Sequence, residues 1–130
     1  MLKRVLLVAI ALFVLFACGC ADKELTITEA PVNKSEAVNY VDIKYRDTPV
    51  NLASANFEYL DTDKSSFIRG AWYDKRNEYM VIKLNDVYYH YCGVPESVWK
   101  DFKQAESFGR YFNQAIKEEY EYRDCNGPNY

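Results

Sequence analysis

Two β-forming segments separated by only two residues constrain the fold of this chain more than any other feature. Tyr79 to Leu84 and Val87 to Cys92 are rich in aromatic and aliphatic residues, and Asn85-Asp86 lies between them. Asn tolerates the left-handed conformation that both central residues of a type I′ turn require. The pattern therefore predicts a tight β-hairpin.

The two-residue loop also fixes the register of this hairpin. Successive strand residues point to opposite sides of a sheet. One face then consists of apolar pairs: Leu84 with Val87, Ile82 with Tyr89, and Met80 with Tyr91. The other face has mixed pairs: Lys83 with Tyr88, Val81 with His90, and Tyr79 with Cys92. We expect the first face to be core and the second to be wetter, with His90 on the surface or partly buried.

The flanking patterns extend the hairpin to a small domain. Phe67 to Tyr73 predicts a preceding strand, and Asp74 to Asn77 predicts a turn. After Pro95, which suits the first turn of a helix, apolar residues recur at helical spacing. They form two stripes: Val98, Trp99, Phe102 and Ala105, and then Phe108, Tyr111, Phe112, Ala115, Ile116 and Tyr120. The sequence predicts an α+β fold, a small antiparallel three- to four-stranded meander packed on one face by two C-terminal helices.

The residues outside this domain suggest three further segments. Alternation at Val41, Ile43 and Tyr45 indicates a strand in an N-terminal extension, residues 41–64, which also contains an edge strand. The polar residues 21–40 predict a flexible tether. The domain itself spans residues 65–122, and residues 123–130 form a tail that frays unless Cys125 fixes it.

The first residues have the layout of a bacterial secretory signal. Lys3 and Arg4 precede Val5 to Ala17, an uncharged apolar run. That run is shorter than the roughly 20 residues that a membrane-spanning helix needs. Residues 1–20 are therefore predicted to be a lipoprotein signal peptide and lipobox, which places the protein in the cell envelope. A plain secretory signal is the alternative.

The lipobox consists of Leu15-Phe16-Ala17-Cys18, which resembles the motif whose cysteine receives a diacylglycerol. Cys18 is the expected lipidation site. Cys20 is the alternative, because the Gly before it suits the cleavage site, although Ala17 is weaker than Leu15 at the third position before the modified cysteine. The expected partner is a membrane that faces the periplasm or exterior, reached through a lipid anchor that includes palmitate-like fatty acids.

Two cysteines remain in the domain and tail. Outside the cytoplasm a disulfide between Cys92 and Cys125 is chemically permitted, and it would stabilise the fold by roughly 4 kcal/mol in the chain-entropy model. Two free thiols are the alternative. Lipidation at Cys20 removes Cys18 with the signal and leaves Cys92 and Cys125 as an even pair. Lipidation at Cys18 instead leaves Cys20 as a third cysteine without a partner.

Ser107-Phe108-Gly109-Arg110 is the most interesting polar segment. A capped helix start with a glycine and an arginine offers N–H groups and a guanidinium to a small anionic ligand. His90 is a further possible ligand-binding residue. The competing interpretation is ordinary capping by Ser107, with Gly109 allowing close approach to the sheet.

Catalytic and metal chemistry find little support. His90 is the single histidine, and zinc-ligand spacing is absent. Paired carboxylates such as Glu118-Glu119 are expected to be solvated surface rather than a glycosidase pair. We expect no enzymatic turnover, no metal and no cofactor. An enzyme that uses His90 with Cys92 is a weaker hypothesis.

An ordered set of residues between Ser65 and Tyr120 resembles the KTSC domain, a module named for its occurrence at the C-terminus of some lysyl-tRNA synthetases. The set is Ser65-Ser66-Phe67-Ile68, Trp72-Tyr73-Asp74, Tyr89-His90-Tyr91, Val94-Pro95, Ala105, Ser107, Gly109, Tyr111-Phe112-Asn113, Ile116 and Tyr120. The defining Tyr-x-Tyr of the family corresponds to Tyr89 and Tyr91. The resemblance implies a compact α+β module and, by association with the synthetase, a role in RNA binding.

The charge of the chain argues against that role. The net charge is −3 and becomes more negative when Lys3 and Arg4 are removed. A nucleic-acid binder normally carries a basic face. We therefore expect a membrane-anchored bacterial or phage-borne lipoprotein whose KTSC-like module is non-catalytic and binds an envelope protein or a small anionic ligand. The alternative is a nucleic-acid or nucleotide-binding module, which predicts a basic patch: Arg69, Lys83, Lys100, Lys103 and Arg110.

Overall fold

A computed structural model describes residues 38–130 of the chain. The predicted signal peptide, both candidate lipidation residues, Cys18 and Cys20, and nearly all of the predicted tether lie outside the described residues. The elements follow in chain order: β1 (Tyr40–Val41), β2 (Val50–Asn51), β3 (Glu58–Leu60), β4 (Ile68–Asp74), β5 (Tyr79–Leu84), β6 (Val87–Tyr91), α1 (Glu96–Gln104) and α2 (Phe108–Ala115).

The main sheet is a four-stranded antiparallel meander in the order β3-β4-β5-β6. β5 and β6 form the predicted hairpin in the predicted register: Leu84 faces Val87, Ile82 faces Tyr89, and Met80 faces Tyr91. Asn85 has φ 52°, but Asp86 is not among the residues with positive φ. The two-residue loop is therefore present, whereas the predicted type I′ turn, which needs both central residues to be left-handed, is wrong. The fold class and strand order predicted from the sequence are confirmed, and β3 lies at one edge of the sheet.

The two helices cover one face of this sheet, as predicted. The core between the helices and the sheet consists of buried apolar and aromatic side chains: Ile68, Ala71, Tyr73, Met80, Ile82, Tyr91, Val94, Trp99, Phe102, Phe112 and Ile116. Trp99 stacks on Tyr73 with ring centroids 5.1 Å apart, and the Tyr73 hydroxyl donates to the Val94 carbonyl at 2.8 Å. Full burial of each large apolar side chain contributes about 1.5–3 kcal/mol.

The helix boundaries differ slightly from the prediction. Pro95 is the N-cap residue of α1, and Ser107 is that of α2. α2 ends at Ala115 rather than near Tyr120, because Ile116 has φ −123° and leaves the helical path. Ile116 nevertheless stays buried, and Tyr120 packs against the core from the turn that follows.

The prediction that the second face of the sheet is wetter, with His90 on the surface or partly buried, is wrong. Tyr79, Val81 and His90 are each 0% exposed. The extension and the residues after α2 cover this face and form a second core cluster with it: Ile43, Val50, Leu52, Tyr79, Val81 and Cys125. A local strand pattern could not indicate this cover, because the covering residues are distant in sequence.

Apart from β3, the extension forms a two-stranded sheet of its own and one bridge to the main sheet. β1 pairs antiparallel with β2, and Ile43 forms a parallel bridge with Tyr88 of β6. The strand predicted through Tyr45 is shorter than expected, because Tyr45 has φ 67° and turns the chain. Within residues 38–130, no helix is both long and apolar enough to cross a bilayer.

Cys125 fixes the tail. The sequence predicted that the tail frays unless this cysteine holds it. Cys125 forms a disulfide with Cys92, which follows β6. The Tyr130 hydroxyl donates to Oδ2 of Asp74 at 2.8 Å, and the Tyr130 ring lies 4.5 Å from that of Phe57, measured between centroids. The tail therefore belongs to the folded unit.

Candidate functional site

A polar depression lies where the segment before β4 meets the joint between α1 and α2. Its volume is about 630 Å³. Its polar lining residues include three cations and one carboxylate: Lys64, Ser66, Lys103, Glu106, Ser107, Arg110 and Asn113. Ser107, Gly109 and Arg110, which the sequence singled out, are therefore brought together in one concave surface. We call this surface the polar depression.

Two of these predicted residues have clear structural roles. The Ser107 hydroxyl accepts a hydrogen bond from the backbone N–H of Arg110 at 3.3 Å, which satisfies an end group of α2. A Cβ at Gly109 would lie 2.6 Å from Cε1 of Phe67, so glycine lets the helix approach that ring. The capping interpretation thus accounts for Ser107 and Gly109 without a ligand.

The cations of the polar depression differ in their partners. Lys103 Nζ lies 2.6 Å from Oε1 of Glu58, whose Oε2 accepts from the Trp99 indole. The hydrogen bond from Lys103 is the largest cause of the lowered pKa of Glu58, and the hydrogen bond from Trp99 is the next. Lys64 and Arg110 are exposed, and neither forms a salt bridge with another residue of 38–130. The depression therefore presents two free positive charges to solvent.

His90 does not belong to the polar depression, because it faces the opposite side of the sheet from the helices. Its Nδ1 lies 3.0 Å from the Tyr79 hydroxyl, and its Nε2 is buried without a hydrogen-bond partner in the described residues. Burial is the largest cause of the lowered pKa of His90, and the positive charge of Arg46 is the second. Burial also raises the pKa of Tyr79 to about 12. Both side chains are neutral at pH 7.

The remaining predicted residues are structural. Cys92 is bonded to Cys125, so no thiol lies beside His90. Tyr91 is 3% exposed and packs edge-on against Phe112, and Tyr89 is half-buried beside that core. Residues 38–130 contain no group of three or more His, Cys, Asp or Glu side chains that could hold a metal ion.

The predicted basic patch is not a single surface. Lys83 lies on the second face of the sheet, where its Nζ is 5.2 Å from the Tyr88 ring centroid. Lys100 is on α1 and pairs with Glu96 at 3.1 Å. Lys83 therefore lies on a different face of the sheet from the helical cations.

A cluster of tyrosines near Tyr89 was missed by the sequence reasoning. It joins Tyr45 of the extension, Tyr89 of β6 and Tyr122 of the segment after α2, and it borders a second cavity. The left-handed Tyr45 and the lysine before it are not a recognisable pattern in the sequence. Only the folded arrangement brings these rings together.

The match to a known protein family covers three strands of the main sheet, β4 to β6, and both helices. The family model described as the KTSC domain matches residues 64–120. The crystal structure of a KTSC domain protein from Yersinia pestis is 31% identical, with a TM-score of 0.48, and the match covers 53% of this chain and 97% of that chain. A search of curated proteins gives no match.

Proposed function

Because the chain carries a KTSC domain over residues 64–120, we propose that it is a lipid-anchored envelope protein that presents this domain as a non-catalytic binding module. The observation that carries the anchoring proposal is the order of features at the N-terminus. Lys3 and Arg4 are followed by an uncharged apolar run and then by Leu15-Phe16-Ala17-Cys18. Cys18 is the proposed lipidation site and Cys20 the alternative.

The disulfide supports an extracytoplasmic location. Disulfides persist in oxidising compartments and are rare in the cytosol. The bond between Cys92 and Cys125 uses both cysteines of the folded unit. Cys18 and Cys20 are then the two remaining cysteines of the chain, and both lie at the end of the apolar run.

The ligand proposed for the module is a small anion in the polar depression. Lys64 and Arg110 supply positive charge, and Arg110 can pair with two anionic oxygens at once. Both are exposed, so the Coulomb attraction is weakened by solvent and salt. We therefore expect binding that is weak and strongly salt-dependent.

The anchoring proposal is tested by metabolic labelling with a palmitate analogue, followed by intact-mass analysis of the expressed full-length chain. We expect label on the wild-type chain and its loss in Cys18→Ala, with Cys20→Ala unchanged. Loss in Cys20→Ala alone assigns the lipid to Cys20. If the wild-type chain carries no label, or if neither substitution removes it, the anchoring proposal is wrong.

The anion proposal is tested by NMR titration of the full-length chain in detergent with inorganic phosphate. Arg110→Ala should abolish the shifts while circular dichroism stays unchanged. Arg76→Ala, an exposed arginine in the β4–β5 turn, is the matched control and should bind like the wild type. Equal loss in both variants, or no phosphate-dependent shifts in the wild type, would overturn the proposal.

A further inference from the structure

A second cavity lies apart from the polar depression, where three distant parts of the chain meet. Its volume is about 230 Å³. Its rim carries three tyrosines and three charged residues: Lys44, Tyr45, Tyr89, Lys117, Glu118 and Tyr122. Its floor is apolar and consists of core side chains. Ligand sites commonly combine an aromatic and apolar lining with a few convergent polar groups. We call this cavity the tyrosine cavity.

The aromatic walls of the tyrosine cavity are tilted rather than parallel. The rings of Tyr45 and Tyr122 have centroids 5.8 Å apart and planes at 57°. Tyr45 is 49% exposed, and its φ of 67° is unusual for a bulky residue. A flat nucleobase stacks best between parallel rings. Tilted rings suit a ligand with apolar surface in more than one plane.

Two cations lie over these rings. Lys44 Nζ is 5.1 Å from the Tyr45 centroid and 5.2 Å from that of Tyr89. It also donates to the Tyr89 hydroxyl at 3.3 Å. The Arg123 guanidinium lies 5.4 Å from the Tyr122 centroid. These contacts are cation–π interactions. Lys44 lies on the rim of the tyrosine cavity, whereas Arg123 is not one of its lining residues and borders a separate depression.

The charges at the tyrosine cavity do not balance. Glu118 is the carboxylate on its rim, and it lies 3.7 Å from Lys117. Lys44 and Arg123 form no salt bridge with any carboxylate in the described part of the chain. An external ammonium ligand would be repelled by the unpaired Lys44 on the rim, whereas a carboxylate would be attracted.

We propose that the tyrosine cavity binds an acidic saccharide, with one sugar residue seated in it. The C–H faces of a pyranose ring pack against tyrosine rings at different tilts. Its hydroxyl groups can donate to Glu118 and accept from Lys117, and its carboxylate pairs with Lys44 on the rim. The cavity has room for about one sugar ring. The inference rests on these residues and is independent of lipid attachment.

The test uses the full-length chain in detergent and isothermal titration calorimetry. The probes are a trisaccharide of galacturonic acid and a neutral trisaccharide of glucose. We expect binding of the acidic probe that weakens as salt is raised, and at least about tenfold weaker binding of the neutral probe. No binding of the acidic probe, or equal affinity for the two, would show the proposal to be wrong.

Matched variants locate the site. Lys44→Ala and Tyr45→Asn should each weaken binding by about tenfold, and Asn retains a residue that tolerates positive φ. The controls are Lys83→Ala, which removes an equivalent lysine over Tyr88, and Tyr59→Asn, which removes a tyrosine that is 55% exposed elsewhere. The proposal stands if the controls bind like the wild type. Equal loss in the controls, or tighter binding of adenosine monophosphate than of the acidic trisaccharide, refutes it.

Discussion

The stability of the fold depends on pH through one buried side chain, that of His90. It is fully buried on the second face of the sheet, beside Tyr79. Burial, and then the charge of Arg46, lower its pKa in the folded state. An unfolded chain takes up the proton near pH 6.5, so between that pH and the lowered pKa the unfolded state binds more protons. The stability that neutral His90 provides is complete above about pH 6.5 and is lost as pH falls.

We predict that the free energy of unfolding decreases below about pH 6.5, by at most about 1.4 kcal/mol per pH unit from this site. His90→Gln removes the titrating group and should flatten that part of the curve. Urea unfolding of both proteins between about pH 7.5 and 5 measures the difference. Curves that fall in parallel would assign the pH dependence to carboxylates instead.

Among single residues, the sequence indicated the buried positions of the first face but not those of the second. Tyr91 and Met80 follow from the two-residue loop, because loop length fixes the register of a hairpin. The burial of His90 depends on the extension and the tail. Their contacts join residues far apart in sequence, so no local period could reveal them.

β4 contains an irregularity that the strand pattern did not predict. Its register with β5 shifts between Ile68 and Ala71, and Gly70 has φ 148°. A Cβ at Gly70 would lie 2.8 Å from Cη2 of Trp72 and 3.2 Å from Cε2 of Tyr59. The bulge thus requires a residue without a side chain.

Gly70→Ala should therefore destabilise the protein by about 1–3 kcal/mol, through backbone strain and the contact with Trp72. Gly93→Ala is the matched comparison, since Gly93 also has positive φ, 70°, but has no atom near a Cβ. We expect that variant to lose only about 1–2 kcal/mol. Urea denaturation compares the two, and a Gly93→Ala loss as large as that of Gly70→Ala would contradict the packing argument.

The helices and the polar depression show what spacing alone can predict at the level of elements. The stripe that contains Trp99 and Phe102 follows the helical period, and Ser107 is a residue type that caps helices. The tyrosine cavity could not be predicted in this way. It needs Tyr45 and Tyr122 from opposite sides of the matched domain, and only the tertiary fold places them beside Tyr89.

The whole molecule has two cores on the two faces of one sheet. The core under the helices lies within the matched residues, whereas the second core adds the extension and the tail. Three of the bonds that fix the tail are the disulfide, the hydrogen bond from Tyr130 to Asp74, and that from Arg46 Nη2 to the Pro128 carbonyl at 2.8 Å. Loss of the tail would remove the contacts of Tyr130 and Gly127 with Tyr79.

We predict that the double variant Cys92→Ser, Cys125→Ser loses about 4 kcal/mol of unfolding free energy, because the bonded cysteines are 33 residues apart in sequence. Chemical denaturation with and without dithiothreitol provides the measurement. The reductant should destabilise the wild type by a similar amount and leave the double variant unchanged. Sensitivity of the double variant to the reductant would contradict the assignment.

The disulfide makes the folded unit tolerant of a single backbone cut between α2 and Cys125. Such a cut would separate the tail from the rest of the chain in sequence, but the bond from Cys92 to Cys125 would keep the two pieces joined. The contacts of Tyr130 with Asp74 and Phe57 would then still cover the second face of the sheet. A protease would need a reductant as its partner before it could release the tail.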